Sequence, residues 1–207
     1  GPHQTRPLGV KSNDLLQPTV VLDNIFLSLT NQLPFSEQAT MAQMGAFFAA
    51  MTIRRNFPPS TRWSVAEVEA MSKFEPLFVK HAPAELLFLL NPNRGLPTFD
   101  PMTAMVVKSL TQILSGQHLP YYQAFETCQA ILSNNLHLSL KAAVIIGQRM
   151  NLESFDEMNA YLDSVYPREQ IRPVNLESIT HFGLPFDGAT RYFRPALFIA
   201  AIRSALG

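Results

Sequence analysis

The chain has 207 residues, 47% of them apolar and 15% charged, and its sixteen basic side chains balance sixteen acidic ones. That length and apolar fraction support one core or two small ones and exclude a chain disordered by composition, while zero net charge excludes a global field for nucleic acid or an anionic membrane. The apolar runs at 86–90 and 196–201 fall far short of the roughly 18 residues of a membrane span, and a single cysteine, Cys128, excludes an internal disulfide or a paired-thiol zinc site. The expectation is a soluble intracellular protein of the cytoplasm or an organelle stroma, with Cys128 packed in a core.

In chain order, residues 1–17 are polar with scattered Pro and Gly and read as a tail. The opening Gly1-Pro2 reads as a protease scar, behind which a native N-terminus with any transit peptide is expected to have been removed. From Val20 apolar positions recur at helical spacing, most clearly at Met44, Phe47, Phe48 and Met51. Arg54-Arg55-Asn56-Phe57-Pro58-Pro59 ends that helix, because paired prolines force an extended chain. Ser64 and Glu67 form an S-x-x-E capping box that opens a helix through about Phe74.

A shorter helix over 84–90 leads to the turn-rich stretch 91–97, the expected boundary between a first module (18–98) and a second (99–168). Asp100 supplies an N-cap, Pro101 the first helical position and Gly116 the C-terminal stop of a helix of about four turns. Further helices are expected over 121–133, 138–150 and 155–165, the last opened by the capping box of Ser154 and Glu157. Laying one capping box over the other sets Ala142-Ala143-Val144-Ile145-Ile146-Gly147-Gln148 on Gly45-Ala46-Phe47-Phe48-Ala49-Ala50-Met51, which suggests a duplicated helical hairpin; any two amphipathic helices, however, align in this way.

After residue 169 the pattern changes. Ser178-Ile179-Thr180-His181-Phe182 reads as a strand, a turn-rich loop follows to Gly188, and Pro195 opens an apolar helix through Ala205. Strand, loop and helix make half of a βαβ unit, which needs a parallel partner strand, so a partner chain or a longer chain is expected to complete it. The expected fold is therefore mainly α: a bundle of two copies of a small helical module, followed by the first strand, loop and helix of an incomplete α/β domain.

Leu110-Thr111-Gln112-Ile113-Leu114-Ser115-Gly116-Gln117-His118-Leu119, then Ala124-Phe125-Glu126, Ala130-Ile131-Leu132-Ser133, the Ala142 helix and the Ser154 capped helix, resemble the N-terminal helical domain of anthranilate phosphoribosyltransferases and their relatives in glycosyltransferase family 3. The resemblance covers residues 102–165, and the earlier copy matches only the later part of that domain. It implies a helical domain that packs beside an α/β domain, contributes to a homodimer, and helps enclose a cleft for phosphoribosyl pyrophosphate, anthranilate and magnesium in a step of tryptophan biosynthesis. It also sets the family's phosphate loop on residues 181–195 in the form of a divergent branch, with Gly183, Asp187, Gly188, Thr190, Arg191 and Arg194 as candidate phosphate contacts.

That loop departs from the family. Pyrophosphate cradles use glycines so that backbone N–H groups reach the oxygens, yet Leu184, Pro185 and Phe186 fill the middle here and Pro185 removes a donor. Arg191 and Arg194 offer charge instead; the alternative is a tight turn capped by Asp187 with both arginines solvated. The chain alone is expected to be inactive and to carry no cofactor, with magnesium belonging to the complete enzyme.

A second class of function stays open. Arg54, Arg55, Arg62 and Trp63 combine positive charge with an aromatic ring suited to phosphates and a stacked base; the alternative is that Trp63 packs ahead of Ser64 at a solvated helix end. The five histidines have no zinc spacing, no G-x-S-x-G elbow occurs, and the acidic pairs Glu67/Glu69 and Asp156/Glu157 fall in first helical turns, where they complement the dipole.

Overall fold

The computed structural model describes residues 16–55, 62–167 and 169. The described residues are mainly helical: α1 (Leu16–Leu29), α2 (Met41–Arg55), α3 (Val65–His81), α4 (Ala84–Leu90), α5 (Pro101–Leu114), α6 (Tyr121–Leu132), α7 (Leu138–Asn151) and α8 (Phe155–Val165), with no strand among them. The chain divides into two compact units, Gly1–Gln170 and Ile171–Gly207, and all eight helices belong to the first. The strand, loop and helix expected over 178–205 lie outside the described residues.

Local chemistry sets the helix ends. At the start of α5 the Asp100 carboxylate accepts from the Thr103 N–H at 2.8 Å and the Thr103 hydroxyl at 2.6 Å, ahead of Pro101, whose missing N–H costs nothing in the first turn. At its other end Gly116 takes a φ of 79° and the chain reverses: Gln117 N–H donates to Gln112 O and Gly116 N–H to Ile113 O, the paired bonds of a Schellman stop. Both expected capping boxes form, with Glu67 N–H donating to Ser64 Oγ and Glu157 N–H to Ser154 Oγ, each at 3.2 Å.

One helix end differs from the sequence expectation. α3 does not stop near Phe74 but continues through Pro76 to His81. A proline inside a helix costs about 3 kcal/mol. Against that, Phe78 is fully buried, 5.2 Å from the ring of Phe48 and 6.0 Å from that of Phe74, and burying one such side chain returns about 1.5–3 kcal/mol before the other contacts of the last turn are added.

The centre of the bundle is the seam between α2 and α7. A Cβ on Gly45 would stand 2.3 Å from Ser139 O, and one on Gly147 would stand 3.4 Å from Ile53 Cδ1, so the helices touch at two levels eight residues apart on each and run parallel. Ala49 and Ala143 lie midway between those contacts and are fully buried. Around this seam α1 packs on α3 and α6 on α8, while α4 covers α2 and α5 covers α7. Thr52 Oγ1 ties α2 to the end of α4 by donating to Leu89 O at 2.7 Å.

These contacts follow a burial rhythm on each helix. Gly45, Ala49, Ile53 and Arg54 are buried on α2, and the same rhythm on α7 falls on Ser139, Ala143, Gly147 and Gln148. Across the seam Gly45 therefore faces Ser139. The sequence overlay followed the string of small and bulky residues, whereas burial follows the helix face that the seam selects.

Candidate functional site

Two buried carboxylates, Glu67 on α3 and Glu157 on α8, each gather several polar contacts from other elements. Glu67 closes its capping box by accepting from Ser64 N–H at 2.7 Å and also receives Arg54 from α2, Nη1 on Oε1 at 2.6 Å and Nη2 on Oε2 at 2.8 Å. The two side chains are 6% and 4% exposed. Arg54 Nη2 further donates to Arg62 O at 3.3 Å, which binds the loop ahead of α3 to the end of α2.

Glu157 is held differently. It accepts from Ser154 N–H at 2.7 Å, Leu119 N–H at 2.8 Å and Gln148 Nε2 at 3.3 Å, and His118 Nδ1 lies 2.9 Å from its Oε2. Burial pushes this carboxyl upward, but the N–H groups of Leu119 and Ser154, the His118 ring and the Ser154 hydroxyl pull it further the other way, so it ionises below its ordinary value. Nearby Tyr161 is raised well above the usual phenol range, first by burial and then by the Glu157 charge. Its Oη, Gln148 Oε1 and Asn151 Oδ1 are buried without a hydrogen-bond partner. Burial also raises the Cys128 thiol, against a bond with Ser164, so Cys128 is a core side chain rather than a reactive one.

The basic cluster expected to meet nucleic acid is divided by the fold. Arg54 points inward to Glu67, and a guanidinium so buried has no access to a phosphate; this is a correction to its expected role. Arg55 and Trp63 do come together, with the guanidinium 4.3 Å above the ring and the indole N–H donating to Met51 O at 2.8 Å. Partial burial lowers the Arg55 pKa, and the nearby Glu75 charge opposes that. Arg62 is exposed. A base stacking on Trp63 must displace Arg55 from that face. Gly183, Asp187, Gly188, Thr190, Arg191 and Arg194, the candidate phosphate contacts, lie outside the described residues.

No family model, curated protein or solved structure matches this chain. An open groove of about 570 Å³ runs between α1 and the start of α2, lined among others by Asn24, Glu37, Gln38, Gln43, Met44 and Phe47, with no lysine or arginine among the described residues of its walls. Among the described residues no three His, Cys, Asp or Glu side chains converge as a metal site. No described helix is long and apolar enough to cross a membrane.

The sequence reading assigned Glu67 and Glu157 to capping and missed their second partners. Arg54 stands thirteen residues from Glu67 and His118 thirty-nine from Glu157, separations that no helical periodicity connects. The available signal was Arg54 standing one residue before an exposed Arg55 at the same helix end, since adjacent helical positions face apart.

Proposed function

We propose that the helical unit is a scaffold built from a duplicated module of the anthranilate phosphoribosyltransferase type, serving to position and join domains rather than to carry out phosphoribosyl transfer itself. The observation that carries this reading is the recurrence of one arrangement: α1, α2 and α3 are followed by α6, α7 and α8 with the same pairwise packing, and in each set the buried polar residue near the end of the middle helix, Arg54 or Gln148, reaches the capping-box glutamate of the third. Support for the family comes from the sequence resemblance over 102–165. The groups that the transfer reaction needs, a phosphate cradle and acidic magnesium ligands, are assigned to residues outside the unit.

The test is an assay of the purified 207-residue protein with phosphoribosyl pyrophosphate, magnesium and anthranilate, followed by the loss of anthranilate fluorescence, alongside a search for an α/β partner that co-purifies with it. The expected result is no turnover by the chain alone. Turnover at an enzymatic rate sinks the scaffold reading. The nucleic-acid reading is weakened by the inward position of Arg54 and the covered face of Trp63, and salt-dependent binding of single-stranded oligonucleotides that is lost on Arg55→Ala and Arg62→Ala would restore it.

A further inference from the structure

Three histidines among the described residues are exposed, His81, His118 and His137, and each ring is held in its own way. His81 packs against Phe26 with the ring centroids 5.7 Å apart. His137 Nδ1 accepts from the Ser139 N–H at 3.4 Å, which leaves the proton of the neutral imidazole on Nε2. His118 is the reverse. Its Nδ1 lies 2.9 Å from Glu157 Oε2, and the side chains are 47% and 3% exposed respectively. An ionised carboxylate only accepts, so Nδ1 donates and the neutral ring carries its lone pair on Nε2. No other described side chain bonds this ring, and with Nδ1 turned to a buried group the open edge is the one that carries Nε2. Glu157 Oε1 accepts from the Leu119 N–H at 2.8 Å, so the carboxylate also fixes the chain beside His118 and holds the ring in one orientation.

That arrangement bears on reactivity. A group transferred to Nε2 while Nδ1 keeps its proton leaves the ring positively charged, and a buried carboxylate at hydrogen-bond distance stabilises that charge as it develops. Glu67 already holds the cation of Arg54, whereas Glu157 meets the neutral amide of Gln148 and, among the described residues, no lysine or arginine. A second feature suits a transferred group that is anionic. α6 begins three residues after His118, with no side-chain cap from Pro120 and no acid in its first turn.

We propose that His118 Nε2 is a phosphoryl acceptor, a modification site for small donors of the phosphoramidate or acyl phosphate class, with Glu157 positioning the ring and balancing its charge. With phosphoramidate, the Nε2 lone pair forms the new N–P bond while the donor's N–P bond breaks and its electron pair leaves with ammonia. Nδ1 keeps its proton throughout, so no base is needed. The proposal is independent of the phosphoribosyltransferase reading. The test incubates the full chain with potassium phosphoramidate and follows each histidine by mass spectrometry, with phosphorus NMR to tell the Nε2 isomer from the Nδ1 isomer. His118 is expected to gain the Nε2 phosphoryl group at least tenfold faster than His81 and His137, which are exposed as well. Glu157→Gln, checked for folding by thermal melts, should bring His118 down to the rate of the other two. The ranking of the three histidines in the wild type tests the proposal without the variant. It is overturned by similar rates at all three, by no label on His118, by the Nδ1 isomer there, or by a folded Glu157→Gln protein that labels as fast as wild type.

Discussion

The Arg54 guanidinium grips both carboxylate oxygens of Glu67, at 2.6 and 2.8 Å, in a place that water does not reach. Removing one member strands the other as a buried charge, which costs about 3–5 kcal/mol, more than the pair itself is worth against an apolar replacement. Arg54→Met and Glu67→Gln should each lower the urea midpoint sharply. The double variant should lose less than the sum of the two, and a double-mutant cycle in urea checks the coupling.

The α2–α7 seam makes a prediction about volume. Gly45→Ala drives a methyl group into the Ser139 backbone, which cannot yield without separating the helices, whereas Gly147→Ala meets the Ile113 Cγ2 methyl at 2.5 Å, a side-chain atom that can give way. Both variants should be destabilised, by about 1–3 kcal/mol or more, with Gly45→Ala the worse. Thermal melts of the two side by side test the order.

Acid should loosen the grip on α8. Because Glu157 ionises below its ordinary value in the folded protein, its contribution is fully present above the unfolded carboxyl pKa of about 4.3 and is lost as pH falls through the lower folded value. Glu157→Gln should be less stable than wild type at pH 7 and should show a flatter loss between pH 5 and 3. Urea midpoints measured across that range decide it, and parallel curves for the two proteins would contradict the assignment.

Two substitutions should do no harm. Leu152, the residue that ends α7, holds a φ of 61°, a left-handed conformation that costs a side chain about 1 kcal/mol, so Leu152→Gly should be neutral or stabilising by about that amount. The Tyr161 hydroxyl is buried without a partner, so Tyr161→Phe removes an unmet desolvation cost of about 1–3 kcal/mol and should not lower the melting temperature.

Features governed by neighbours in sequence were legible before the structure. The ends of α5, set by Asp100, Pro101 and Gly116, and the starts of α3 and α8, set by their capping serines, are local chemistry and were read to the residue. What depended on distant contacts was not. Pro76 reads as a stop unless Phe48 is known to wait for Phe78, and Arg54 reads as a surface cation unless the fold of α3 across α2 brings Glu67 beneath it. On α8, Phe155, Met158, Leu162 and Val165 recur at helical spacing, which by itself assigns an apolar face to the core, yet all four stand exposed while α6 packs against the helix that buries Glu157, Ala160 and Ser164.

The parallel seam also sets an order of assembly. Gly45 and its contact Ser139 are separated by ninety-four residues, while α1 meets α3 and α6 meets α8 across much shorter stretches of chain. At a synthesis rate of about 5–20 residues per second, α2 leaves the ribosome roughly 5–20 s before α7 exists to cover it. For that interval the apolar face of α2, with Met44, Phe48 and Ile53, has only the preceding and following helices for shelter. The seam cannot close before α7 is made, and substitutions in it should slow or derail that closure while leaving the early helices able to form.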